Sequence, residues 1–258
     1  MTKRSAAPAI ALFIFGFTLS FAQDASAQGA PLRVFVSNGV RAVVEELQPQ
    51  CERAIGLPLA IEYSAAALLK KKIDAGEPFD AVLLTSEVTD ALIKEGKVTS
   101  GSRADLARVG VGVGIRSGAP KPDISTPDAL KRALLNTKSI TYAKEGAARV
   151  LIEKIYDRLG ISNDVRPKII LQAVPGNPQT AVAQGQAEMV MTLVSEILPV
   201  HGIELVGPVP KELQSYVSFR GGVGANAKNA EAGAEVVKFF SGSKAASIYK
   251  AKGMEPAR

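Results

Sequence analysis

The amino-acid sequence predicts an α/β protein of two lobes, each a mainly parallel sheet flanked by helices, with a ligand cleft between them. Three observations predict it. Apolar runs of strand length alternate with segments of helical period, joined by short turns. Two glycine-rich β-type runs, at 106–115 and 216–224, interrupt that alternation. The chain between them repeats the strand–helix pattern and then returns. Two crossovers between two α/β lobes make a cleft with a hinge.

The first unit is VFVSNGVRAVVEEL, residues 34–47. Val34, Phe35 and Val36 read as a buried parallel strand. Ser37, Asn38 and Gly39 read as a turn and helix N-cap, and Val40, Val43, Val44 and Leu47 recur at helical spacing. A helix that starts at the C-terminal end of a strand favours an anion, through its free N–H groups and its dipole. Arg41, one turn in, would add a full charge.

Residues 57–63 (LPLAIEY) read as the second strand, with Ser64 capping a helix that ends at Gly76. A third strand spans 79–84 (FDAVLL), and Thr85 or Ser86 caps a helix over 87–94. Three such units in succession imply right-handed crossovers in a parallel sheet. Residues 106–115 (LARVGVGVGI) read as a crossover strand at a hinge; GVGVG lacks the spacing and lysine of a phosphate-binding loop. After a proline-rich loop at 117–127, a helix is predicted over 127–135 and a strand over 139–143 (SITYA). Then come Lys144 to Arg149, a helix over 150–159, a strand over 168–174 and a turn at 175–178. A helix over 179–185, a strand over 188–194, a short helix from Ser195 and a strand over 203–206 complete the second lobe. Gly207, Pro208 and Pro210 mark the return, and two amphipathic helices, 230–240 and 244–252, close the chain. The lobes are thus expected at 28–108 plus 209–258, and at 109–208.

The N-terminus reads as a cleavable secretory signal. Lys3 and Arg4 precede an apolar run at 10–21 that is too short for a comfortable membrane span. Small residues follow at Ala25 and Ala27, and cleavage is expected after Ala27. The mature protein should be soluble and exported, periplasmic where the cell has two membranes. The formal net charge of +6 suits an anionic ligand, but the charges are spread and aromatics are few, so nucleic acid is not an expected partner.

Cys51 is the only cysteine, so no intrachain disulfide can form, and it reads as a small buried hydrophobe. His201 is the only histidine, which excludes a multi-histidine zinc site. No metal or cofactor is expected.

The chain resembles the type II periplasmic solute-binding proteins, in their molybdate-binding branch. The resemblance rests on VFVSNGVRAVVEEL, IDAGEPFDAVLLTSE, LIEKIYDRLGI, QGQAEMVMTLVSEILPVHGIELVGPVP and FFSGSKAASIYKAKGMEP, in that order and spacing. It implies a monomer that binds a small anion between its lobes and delivers it to an ABC permease in the inner membrane. The ligand positions depart from the family pattern. Gly39 and Ala66 stand where the family has serines, Leu193 where it has a tyrosine, and Arg149 follows Ala148 where it has glycine. Many short neutral donors suit a tetrahedral oxyanion, whereas arginine forks suit planar carboxylates. The expected ligand is therefore an organic carboxylate or an oxyanion, with molybdate or tungstate as one alternative. The expected ligand-binding residues are Ser37, Asn38, Gly39, Arg41, Ser64, Lys144, Ala148 and Arg149. A small group of similar proteins is known as aconitate isomerases, so a metal-independent isomerase of a tricarboxylate is the other alternative. Glu145 or Tyr142 would then carry the proton.

Overall fold

A computed structural model of the chain describes residues 30–174 and 176–257. The signal read at 1–27 lies outside the described residues, as does Pro175 of the turn read at 175–178.

The predicted elements form with end shifts of a few residues. β1 (Leu32–Ser37) passes through a tight turn at Asn38–Val40 into α1 (Arg41–Ile55). Then come β2 (Leu59–Ser64), α2 (Ala66–Asp74), β3 (Ala81–Thr85) and α3 (Ser86–Lys94). β4 (Ala104–Arg116) leads to α4 (Pro127–Asn136), β5 (Ile140–Ala143) and α5 (Arg149–Leu159). A one-turn α6 (Ser162–Val165), absent from the sequence reading, precedes β6 (Ile169–Gln172). α7 (Asn177–Ala183), β7 (Met189–Leu193), α8 (Val194–Ile197) and β8 (Ile203–Pro208) follow. β9 (Tyr216–Val223), α9 (Ala230–Ser241), α10 (Ser243–Ala251) and the short β10 (Glu255–Pro256) end the chain.

The strands form one hydrogen-bonded path, β2-β1-β3-β9-β4-β7-β5-β6, with β8 and β10 also on β4. β1 is parallel to β2 and β3, and β5 is parallel to β6 and β7. β4 changes all its partners midway. Residues 104–110 pair with β9, and Ala107 and Arg108 also with β10, whereas residues 111–116 pair with β7 and β8. One long strand thus serves two sheets, as a crossover strand must. After β8 the chain returns through residues 209–215 to β9 of the first sheet. The largest core cluster runs from Val34, Val44 and Leu47 to Tyr156, Met191 and Leu193. Phe35, Leu69, Val82 and Leu92 cover the other face of the first sheet.

The glycines of β4 have a packing role. A Cβ on Gly112 would meet Val194 Cγ2 at 2.9 Å, and one on Gly114 would meet Val190 Cγ1 at 2.8 Å. The bare strand face lets α8 lie directly on it. Gly112→Val is expected to lower the unfolding free energy by about 1–3 kcal/mol through overpacking, read as a shifted urea midpoint.

The serine caps expected from sequence do not form. Ser37 precedes the Asn38–Val40 turn without a side-chain cap bond, and the residue before α2 is Ala65, not Ser64. Both serines instead end parallel strands in direct register, Ser37 opposite Ser64. Cys51 is fully buried on α1, and burial pushes its thiol up to about 12. Native protein should therefore resist alkylation by iodoacetamide that unfolded protein accepts; fast modification of the native thiol would contradict this placement.

Candidate functional site

The C-terminal ends of β1, β2, β5, β6 and β7 surround a cavity of about 390 Å³. Parallel sheets expose helix starts and loop backbone at this end, where ligands bind. Ser37, Asn38, Arg41, Tyr63 and Ser64 line it from the first unit pair. Glu145, Gly146, Gln179, Thr192, Ser195 and Glu196 line it from the other side. A larger cavity, about 740 Å³, sits between the end of β4, α4 and the N-terminal ends of β5 and β7. That is the opposite end of the parallel strands, so topology makes the smaller cavity the candidate ligand site.

The register of β1 and β2 explains the first wall. Ser37 and Ser64 are paired neighbours, so their hydroxyls leave the sheet on the same side. Tyr63 lies across from Val36, one position earlier. The Arg41 guanidinium stacks over the Tyr63 ring, 4.9 Å from its centre, and Arg41 Nε donates to Glu45 Oε1 at 2.7 Å. Both Arg41 and Glu45 are about half exposed, so this i,i+4 pair is weak and open to exchange for a ligand. Burial, helped by Glu45 and opposed by Arg41, pushes the Tyr63 hydroxyl up to about 12. That hydroxyl is buried and has no hydrogen-bond partner among the described residues.

The second wall carries groups the sequence reading did not single out. Gln179 Nε2 donates to the Glu196 carbonyl at 3.4 Å, while its Oε1 is buried without a partner among the described residues. Ser195 Oγ donates to the Gly39 carbonyl at 2.7 Å, tying α8 to the turn after β1. The Glu196 carboxylate accepts from the Thr192 hydroxyl and forms no ion pair among the described residues. Desolvation raises the Glu196 carboxyl above its ordinary range, against the hydrogen bonds from Thr192 and the Leu193 N–H. A carboxyl raised on folding binds more protons in the folded than in the unfolded chain. Its stabilising contribution is therefore complete at acid pH and is lost as pH rises from 4.5 through the folded value. Glu196→Gln should accordingly raise thermal stability at neutral pH and leave it unchanged in strong acid.

The sequence-predicted site residues divide. Ser37, Asn38, Arg41, Ser64 and Glu145 line the cavity. Gly39 lies under it, where a Cβ would meet Phe219 Cζ at 2.3 Å. Its lack of a side chain serves packing, and its carbonyl holds Ser195. Ala148 is buried at the start of α5 and does not line the cavity. Lys144 is exposed and outside it. Arg149 also lies outside: its Nε donates to Glu153 Oε1 at 2.8 Å and its Nη1 to the Lys144 carbonyl at 3.0 Å. Tyr142 lines a different surface hollow with Glu153 and Tyr156, and burial pushes its hydroxyl up to about 12. Among the described residues, no group of three or more His, Cys, Asp or Glu side chains could hold a metal.

The comparisons with known proteins agree with this architecture. A family model described as bacterial extracellular solute-binding protein matches residues 32–255. An aconitate isomerase of Pseudomonas sp is 28% identical over 231 residues, covering 87% of each chain. The molybdate-binding protein ModA of Azotobacter vinelandii is 24% identical over 234 residues, covering 88% of this chain and 91% of that one. The solved structure of the Azotobacter vinelandii periplasmic molybdate-binding protein superposes with a TM-score of 0.74 at 17% identity, over 88% of this chain and 100% of that one. The fold is therefore the two-lobed type II architecture, and the chain belongs to the bacterial extracellular solute-binding protein family.

Proposed function

We propose that this secreted protein captures a small anion in the 390 Å³ cavity and presents it to an ABC permease in the inner membrane. The observation that carries this reading is the pairing of Ser37 with Ser64 at the strand ends, both uncommitted to helix caps, beside the Arg41 guanidinium. Two hydroxyl donors and one charge supply what an oxyanion or carboxylate needs. The hydroxyls make the cavity more suited to a compact oxyanion than the loss of family serines at Gly39 and Ala66 suggested. The lobes we assign are 28–108 with 209–258, and 109–208; the exchange of partners along β4 supports that division. The working form is a periplasmic monomer.

A second reading, an aconitate-type isomerase, is favoured by the 28% identity to the Pseudomonas enzyme and by a carboxyl with raised proton affinity, Glu196, on the cavity wall. The test is a thermal-shift screen against molybdate, tungstate, sulfate and polycarboxylates, with proton NMR of every hit. A ligand at a hundredfold its dissociation constant stabilises by about 2.7 kcal/mol, which moves the melting temperature by several degrees. A hit that NMR shows unchanged over a day supports binding alone; conversion of cis- to trans-aconitate supports the isomerase.

Tyr63→Phe removes a hydroxyl that is buried without a hydrogen-bond partner among the described residues, so the variant should be at least as stable as the wild type in urea unfolding. The ring under the Arg41 guanidinium is kept and the hydroxyl is closed to solvent, so anion affinity should stay within about twofold.

A further inference from the structure

An ionisable carboxyl without a cation beside it is an unexpected wall for an anion site. We propose that Glu196 holds a proton when the cavity is occupied and uses it to donate a hydrogen bond to the bound anion, so that the ligand is a fully deprotonated anion taken up together with one proton. The proposal rests on the anion reading above.

The geometry leaves the ionised form poorly supported. Glu196 lies in the one-turn α8, between β7 and β8, and lines the cavity. Thr192, on the preceding strand, donates its hydroxyl to Oε2. Among the described residues, the elements packed on α8 form no ion pair with it. β4 offers the bare face of Gly112 and Gly114, β7 offers Thr192 and Leu193, and the turn after β1 offers the Gly39 carbonyl. On β8, Glu204 pairs with Lys121 at 2.6 Å. The ionisable groups that share the cavity with it are Arg41, Glu45, Tyr63 and Glu145; the one cation among them, Arg41, stands on the first wall, over Tyr63 and beside Glu45. An anion placed here adds a second negative charge beside the carboxyl in a desolvated space. Like charges at close range cannot both stay ionised, and the pair shares a proton. A neutral carboxyl that accepts from Thr192 and from the Leu193 N–H still carries one O–H of its own to donate toward the ligand.

The experiment is isothermal titration of the mature protein with molybdate and with trans-aconitate, each in buffers of different ionisation enthalpy, from neutral to mildly alkaline pH. The slope of observed heat against buffer ionisation heat counts the protons taken up. About one proton per bound anion is expected, with affinity falling up to about tenfold per pH unit. Glu196→Gln places a permanent amide donor at the same point. It should bind anion with no buffer-dependent heat and no pH slope. Anion binding without proton uptake in the wild type, or uptake that persists in Glu196→Gln, would overturn the proposal. Failure of both probes to bind at any pH, in a protein that melts cooperatively, would overturn the anion reading and this inference with it.

Discussion

Asp80→Ala is expected to cost the fold about 3 kcal/mol or more, with urea unfolding as the measurement. Asp80 is 7% exposed and ends the approach to β3. Its Oδ2 accepts the Arg33 N–H at 2.8 Å, and its Oδ1 accepts the N–H groups of Lys228 at 3.0 Å and Asn229 at 3.3 Å. One carboxylate therefore ties β1 to the turn that starts α9, far apart in sequence. Alanine leaves three backbone donors without their acceptor in a water-poor place, each costing about 1–3 kcal/mol if water cannot replace it. A loss below about 1 kcal/mol would show that water takes over these bonds.

Arg41→Ala and Arg149→Ala should part company by about 2 kcal/mol, or roughly thirtyfold in anion affinity. Both arginines stand in the first turn of a helix, and both pair with a glutamate four residues on, Glu45 and Glu153. Only Arg41 lines the cavity, stacked on Tyr63. Arg149 is spent on Glu153 and on the Lys144 carbonyl outside it. Arg41→Ala should weaken binding of the best anion by the full amount, Arg41→Lys by less, since an ammonium restores charge but not the planar fork. Arg149→Ala should leave affinity within a factor of two or so, because exposed pairs outside a site contribute little.

That contrast shows where sequence reasoning reaches its limit. R-x-x-x-E occurs at 41–45 and at 149–153 with the same local meaning, and only the packing of the helices decides which arginine faces the ligand. The larger architecture was readable because periodicity is local. VFV before SNG announced β1 and its turn, and LARVGVGVGI announced a strand too long for one sheet. The reason for its glycines was not readable, since Val194 and Val190 are some eighty residues away. The missing caps belong to the same class. Ser37 and Ser64 have the chemistry of caps, but parallel register places them at strand ends facing the cavity. On the second wall, Gln179, Thr192 and Glu196 sit in ordinary helix and strand patterns. The one available signal was Thr192-x-x-x-Glu196 at a strand-to-helix junction, which places a hydroxyl and a carboxyl together at the C-terminal end of a strand.

Calorimetric titration of the wild type and of Ser37→Ala, Arg41→Ala and Arg149→Ala, with the anion that gives the largest thermal shift, tests most directly that the ligand lies between Ser37, Ser64 and Glu196. The expected result is one anion per molecule, bound much more weakly by Ser37→Ala and Arg41→Ala and unchanged by Arg149→Ala. Full affinity in the first two variants together with a loss in Arg149→Ala would contradict this placement and move the site to the outer end of α5.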